Sequence, residues 1–98
     1  MLFAFVCTDK PGHLQVRLDN RPAHVEWLKG LNAEGKIALA GPFSDEAGQM
    51  NGSLVIVDAP DLEAAKAMSA ADPYAKAGLF ESVQIRPWNW TFNKPEGN

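Results

Sequence analysis

The chain has 98 residues, 46% of them apolar and 21% charged, with a formal net charge of -3. That length fits one domain and not two. A mildly acidic chain with scattered Lys and Arg lacks the clustered cations that phosphate backbones need, so nucleic acid is not expected as a partner. No apolar run approaches the roughly 20 residues of a membrane span, and no secretory leader pattern opens the chain. No membrane association and a cytoplasmic location are the resulting expectations. A lone Cys7 excludes an internal disulfide and all-Cys metal sites; mid-strand, it reads as inert packing.

Residues 1–8 are rich in Phe and Val and read as a strand, which Asp9-Lys10-Pro11-Gly12 ends with turn chemistry. Residues 13–19 read either as loop or as a short helical turn. A helix is expected from Asn20, with Asn20 as cap, Pro22 in the first turn and Glu26 placed early. Val25, Leu28 and Leu31 recur at helical spacing, and Gly35 supplies the stop. Residues 36–40 form a short strand that Gly41-Pro42 stops, and residues 43–49 form a polar loop. Asn51-Gly52 opens a strand over residues 53–57. Pro60, Asp61 and Glu63 start a second helix with a small-residue face, which Asp72-Pro73 breaks. About one further turn runs from Pro73 to Ala77. Residues 79–86 form the last strand, and residues 87–98 a tail that begins aromatic and ends polar.

The order β-α-β-β-α-β predicts an α+β fold. A four-stranded antiparallel sheet with both helices on one face is its natural form. Leu2, Ala4 and Val6 alternate with Phe3, Phe5 and Cys7, and Leu54 and Ile56 with Val55 and Val57. Strand side chains alternate between faces, so both faces are apolar where a half-solvated sheet shows polar residues. Two helices cover one face; a second copy of the chain is the simplest cover for the other. Phe5 and Val55 are expected in that interface. The alternative cover is the tail folded back over the sheet.

Chemistry has few candidates. His13 follows a turn and is expected in solvent. His24 sits on the flank of the helical apolar stripe, either as a satisfied core residue or as a proton-transfer group. Asp72 can cap the turn that begins at Pro73 and, with its second oxygen, hold an imidazole. Arg21 and Arg86 serve either a ligand anion or surface ion pairs. Trp88, Trp90 and Phe92 form either a tail strand packed on the dimer or an aromatic pocket wall. No ligand-spaced His and carboxylate pair and no glycine-rich phosphate loop occurs, so neither a metal nor another cofactor is expected.

Five short motifs stand in order. Residues 21–28, with Arg21 and Pro22 ahead of His24, resemble an element of the YciI-like family. Ala40-Gly41-Pro42-Phe43 resembles the family's step after the second strand, and Gly52 to Ile56 its third strand. Asp72-Pro73-Tyr74, followed by Ala77-Gly78-Leu79, resembles its signature turn, and Val83 to Trp88 its last strand. The resemblance implies a ferredoxin-like fold that dimerises through its sheets as a dimeric α+β barrel. It also implies a His–Asp site at His24 and Asp72, with Arg21, Pro42, Phe43, Tyr74 and Trp88 around a small-molecule ligand. The corresponding function is a cofactor-independent acid/base enzyme, of lyase or isomerase type, on a small aromatic molecule. The alternative is a dimeric module that binds a small molecule without turning it over. Oxygen chemistry on aromatics is a third reading that rests on fold analogy alone.

Overall fold

The computed structural model describes residues 1–95. In chain order the elements are β1 (Leu2–Asp9), α1 (Leu14–Ala33), β2 (Ile37–Ser44), β3 (Met50–Asp58), α2 (Leu62–Ala70), α3 (Pro73–Lys76) and β4 (Phe80–Trp88). The strands form one sheet in the order β2-β3-β1-β4, with every pairing antiparallel. This is the expected ferredoxin-like α+β arrangement. Among the described residues, no helix is long and apolar enough to cross a membrane.

The alternation of β1 divides its side chains as expected, and the helices choose the odd-numbered set. Phe3, Phe5 and Cys7 join Val55, Val57, Ala59 and Ala65 in one buried cluster, with Leu28 of α1 and Met68 of α2 packed against it. This corrects the expectation for Phe5 and Val55: they lie beneath the helices and not on the second face. That second face carries Leu2, Val6 and Leu54, all half-buried, and two more exposed residues, Leu39 (38%) and Phe43 (40%). Phe3 and Phe5 alone are each 1% exposed, and burying a side chain of that size contributes about 1.5–3 kcal/mol.

α1 starts at Leu14, ahead of the expected start at Asn20. His13 stands at its N-cap without a side-chain hydrogen bond, and no acidic residue occupies the first turn. Asn20 is an interior residue whose Nδ2 donates to the Val16 carbonyl. Pro22 also lies inside the helix, where its missing N–H leaves the Leu18 carbonyl unpaired within the helix. Leu18 is 44% exposed, so water can reach that turn. Gly35 follows the C-cap at φ 74°, the left-handed conformation that glycine adopts without penalty.

β2 continues through Gly41-Pro42 to Ser44, and β3 begins at Met50, so the polar loop is shorter than the sequence suggests. As an edge strand, β2 tolerates a proline that cannot donate to a ladder. Asp61 caps α2 by accepting the Ala64 N–H at 2.8 Å. In the tail, Trp88 and Trp90 meet at a centroid distance of 5.5 Å, while Phe92 is 82% exposed. The aromatic alternation therefore ends at Trp90. The polar end of the tail runs on into residues 96–98, which lie outside the described residues.

Candidate functional site

The two buried residues of α1 are both polar: Arg17 at 2% exposure and His24 at 7%. They are seven residues apart, two helical turns, and so share the face that meets the sheet. A buried polar side chain, not an exposed apolar one, is the informative exception in a small domain.

Asp72 N-caps α3 with an extended backbone, and its Oδ1 accepts the Tyr74 N–H at 2.9 Å. The same Oδ1 lies 2.7 Å from Nδ1 of His24. One oxygen thus serves both partners, where the sequence suggested one oxygen for each. An ionised carboxylate only accepts hydrogen bonds, so Nδ1 carries the hydrogen and Nε2 the lone pair. The His24 ring stacks on Tyr74 with centroids 3.9 Å apart, and Trp27 lies 5.7 Å away on a tilt. The imidazole is therefore fixed in tautomer by Asp72 and in plane by Tyr74.

Arg17 anchors the other end of the site. Its Nε and Nη2 donate to the two oxygens of Asp9 at 2.7 and 2.9 Å, and Nη2 also donates to Ser53 Oγ at 2.9 Å. Its guanidinium carbon lies 4.7 Å from the Tyr74 ring centroid. Burial pulls the Arg17 pKa down, but the hydrogen bonds and charge of Asp9 outweigh it and leave the guanidinium more firmly protonated than usual. Burial raises the Tyr74 phenol, partly opposed by the Arg17 and Arg21 charges, so the phenol stays neutral and able to donate.

These side chains meet at a cavity of about 180 Å³ lined by Arg17, Arg21, His24, Pro42, Ser53 and Tyr74, with apolar wall from α1, β2 and β3. A pocket of about 150 Å³ accommodates a benzene ring. His24 Nε2 makes no hydrogen bond among the described residues, and no fully buried side-chain polar atom there lacks a partner. Nε2 is therefore open to this cavity. A larger hollow of about 580 Å³ lies at the opposite end of the sheet, between Leu2, Ile37, Trp88 and Trp90. It gathers no comparable set of buried polar groups.

Of the residues singled out in the sequence, the structure brings together His24, Asp72, Arg21, Pro42 and Tyr74. It does not bring Phe43 or Trp88 to them. Phe43 pairs with Gly52 and Trp88 with Leu2, and this parity turns both toward the second sheet face. Arg86 pairs with Ala4 and shares that face. Among the described residues, no group of three His, Cys, Asp or Glu is placed to hold a metal ion. Sequence reading missed Arg17, Asp9 and Ser53. The available signal was the interval of seven from Arg17 to His24, together with the odd parity that Asp9 shares with Phe5 and Ser53 with Val55.

The YCII-related domain matches residues 1–89. The chain is 40% identical over 98 residues to Protein YciI of Escherichia coli, covering 94% of this chain and 100% of the relative. It is 36% identical over 99 residues to an uncharacterized protein of Haemophilus influenzae, at 94% and 100% coverage. Among solved structures, it is similar to 5-chloro-2-hydroxyhydroquinone dehydrochlorinase (TftG) from Burkholderia phenoliruptrix in complex with 2,5-dihydroxybenzoquinone. That match has a TM-score of 0.80 and 36% identity, and covers 91% of this chain and 94% of the other. A NIPSNAP domain protein from Burkholderia xenovorans shares the fold alone, with a TM-score of 0.53 and 16% identity at 98% and 100% coverage.

Proposed function

The chain belongs to the YCII-related domain family, and from that premise we propose that it is a cofactor-independent acid/base enzyme acting on a small hydroxylated ring. The observation that carries this reading is the 2.7 Å contact between His24 Nδ1 and Asp72, which leaves Nε2 open to the cavity. The dehydrochlorinase at 36% identity supports the substrate class. In the proposed step, His24 Nε2 takes the proton of an acidic ring hydroxyl. The electron pair left on oxygen moves into the ring, and a ring carbon takes the proton back from the imidazolium to give the keto form. Where that carbon bears a halide, loss of a second hydroxyl proton to His24 then expels the halide and leaves a quinone. Asp72 stabilises the imidazolium while it exists. A positioned histidine is typically worth about 10²–10⁴-fold in rate. Arg21 and Pro42 line the mouth, and the apolar wall excludes water from the ring.

We also propose that the working form is a cytoplasmic homodimer joined through the second sheet face. Leu39 and Phe43 expose apolar surface there beside Leu2, Val6 and Leu54, and an identical copy covers such a face symmetrically.

The test is a panel of chlorinated and unchlorinated hydroxyhydroquinones, read by quinone absorbance and chloride release. Turnover that falls about 10²–10⁴-fold in His24→Ala is expected. Turnover that ignores His24→Ala, or ligand binding without turnover across the panel, overturns the reading; the second result is that of a binding module.

A further inference from the structure

The chemistry above needs a lone pair at His24. A second feature of the same cavity concerns what the substrate brings. Its charged lining residues are Arg17 and Arg21, and among the described residues no carboxylate lines it. Asp9 and Asp72, the two carboxylates nearby, are engaged by Arg17 and His24. Arg17 uses Nε and Nη2 on Asp9 and Ser53. The Tyr74 hydroxyl accepts a hydrogen bond from the Arg17 guanidinium and keeps its own hydrogen to donate. Beyond that bond, neither Nη1 nor the hydroxyl has a side-chain or backbone partner among the described residues. No fully buried side-chain polar atom there is without a partner. Both groups belong to side chains no more than 2% exposed that line this cavity, so both open onto it. A guanidinium clamped on one edge and open on the other is a pre-organised anion donor, because its orientation is already fixed before a ligand arrives.

We infer that the pocket takes its ligand as an oxyanion, a phenolate or enolate on a flat ring, and holds the charged oxygen on Arg17 Nη1 with the Tyr74 hydroxyl as second donor. This rests on the acid/base reading for its catalytic meaning, but the binding claim stands on the cavity alone. The Arg17 charge offsets that of the ligand, and the neutral phenol donates without competing for it. Arg21, exposed at the mouth, adds a second cation on the path inward. A neutral ring of the same shape leaves Nη1 without a partner and loses the charge-assisted bond.

The probe is 4-nitrophenol, coloured when ionised, with 4-nitroanisole as its uncharged counterpart. In buffer at the free probe's own pKa, the wild-type protein is expected to bind the probe and raise its phenolate absorbance. Arg17→Lys cannot span Asp9 in two bonds, and it should bind the phenolate about tenfold or more weakly while binding 4-nitroanisole as before. Tyr74→Phe keeps the ring stack, removes only the hydroxyl and is expected to weaken phenolate binding severalfold; it decides the matter if Arg17→Lys does not fold. His24→Ala is expected to retain the absorbance rise, so lost turnover with retained phenolate binding bears on catalysis and leaves the anchor standing. A bound probe with its free-solution ratio of ionised to neutral form overturns the inference. So does a folded Arg17→Lys, or Tyr74→Phe, with wild-type affinity for the phenolate.

Discussion

The imidazole of His24 lies on the ring of Tyr74, with centroids 3.9 Å apart and planes 15° from parallel. The Tyr74 ring also meets Phe80 edge-on at 6.1 Å. It thereby joins the candidate site to the end of β4. Tyr74→Ala removes a side chain that is 1% exposed and is expected to cost about 3–5 kcal/mol of stability, as for other large-to-small aromatic replacements. Tyr74→Phe keeps the packing and is expected to cost less than about 1.5 kcal/mol. Urea unfolding of the two variants measures the difference; equal losses would mean that the hydroxyl, not the ring, carries the site.

Asp72 has two tasks that substitution can separate. Asn caps helices about as well as Asp, so Asp72→Asn should keep the bond from the Tyr74 N–H and unfold within about 1 kcal/mol of wild type. It removes the charge beside the imidazole and lets either tautomer form. A fall of about 10²–10⁴-fold in kcat/KM is expected, and ¹⁵N NMR of the His24 ring should show loss of the single tautomer. Asp72→Ala also loses the cap, worth about 0.5–2 kcal/mol, and should impair both properties. An Asp72→Asn enzyme with full activity would leave Asp72 as a helix cap only.

The sheet and the element order were legible because they rest on strong local signals, whereas periodicity could not bring His24 to Asp72 and only the family resemblance implied that pair. Phe and Val alternation marks β1, and Asp-Pro-Tyr marks a capped turn whatever surrounds it. The Arg17 end of the site was not legible, and the reason is local too. α1 starts at an uncapped His13 with no acidic residue in its first turn, so nothing announces it. Asn20 and Pro22 then imitate a helix start in the middle of the helix, because tertiary packing outweighs their preference for ends. Phe43 was misplaced because Gly41-Pro42 reads as a stop. β2 in fact continues, and a register shift between Ile37 and Leu39 moves Phe43 from the helix side, where strict alternation from Ile37 would place it, to the second face.

Association through that face has a direct test. Leu39 and Phe43 are already more than a third exposed in the single chain, so a charge there leaves the fold of one chain intact. Leu39→Glu and Phe43→Glu are expected to give folded monomers by circular dichroism and light scattering, because an interface would bury the charge unpaired. The wild type should run at about twice the 10.7 kDa chain mass. A monomeric wild type would remove the second copy and leave the face to solvent.

Gly52 is required by space and not by backbone conformation. A methyl group there would stand 2.5 Å from the Cys7 carbonyl oxygen of the neighbouring strand and 3.2 Å from the Phe43 ring. The oxygen belongs to the backbone of β1 and cannot rotate away, so Gly52→Ala must separate β1 from β3 at the end nearest Arg17. A loss of about 1–3 kcal/mol is expected, typical of overpacking. Hydrogen exchange should rise at the amides of residues 7–9 and 52–54. Unchanged exchange would mean that the strand end absorbs the methyl group elsewhere.

Cys7 offers a stability prediction with a definite pH window. Burial, with a smaller contribution from the Asp72 charge, pushes its thiol from 9.0 up to about 12. The unfolded chain therefore ionises this group first and binds fewer protons between those values than the folded chain does. Stability falls with rising pH wherever the unfolded state holds fewer protons, so the thiol's contribution is fully present below about pH 9 and is lost as pH rises toward 12. The slope for one such proton is at most about 1.4 kcal/mol per pH unit. Tyr74, with its own pKa raised by burial, also ionises in alkali, so the measurement is a comparison. Urea midpoints across the alkaline range are expected to fall more steeply in wild type than in Cys7→Ala, although the alanine variant starts lower for lack of the buried sulfur. Parallel curves would mean that the thiolate forms as readily in the folded chain as in the unfolded one. Native protein should also resist iodoacetamide at pH values where the urea-unfolded chain is alkylated, because the thiolate is the reacting form.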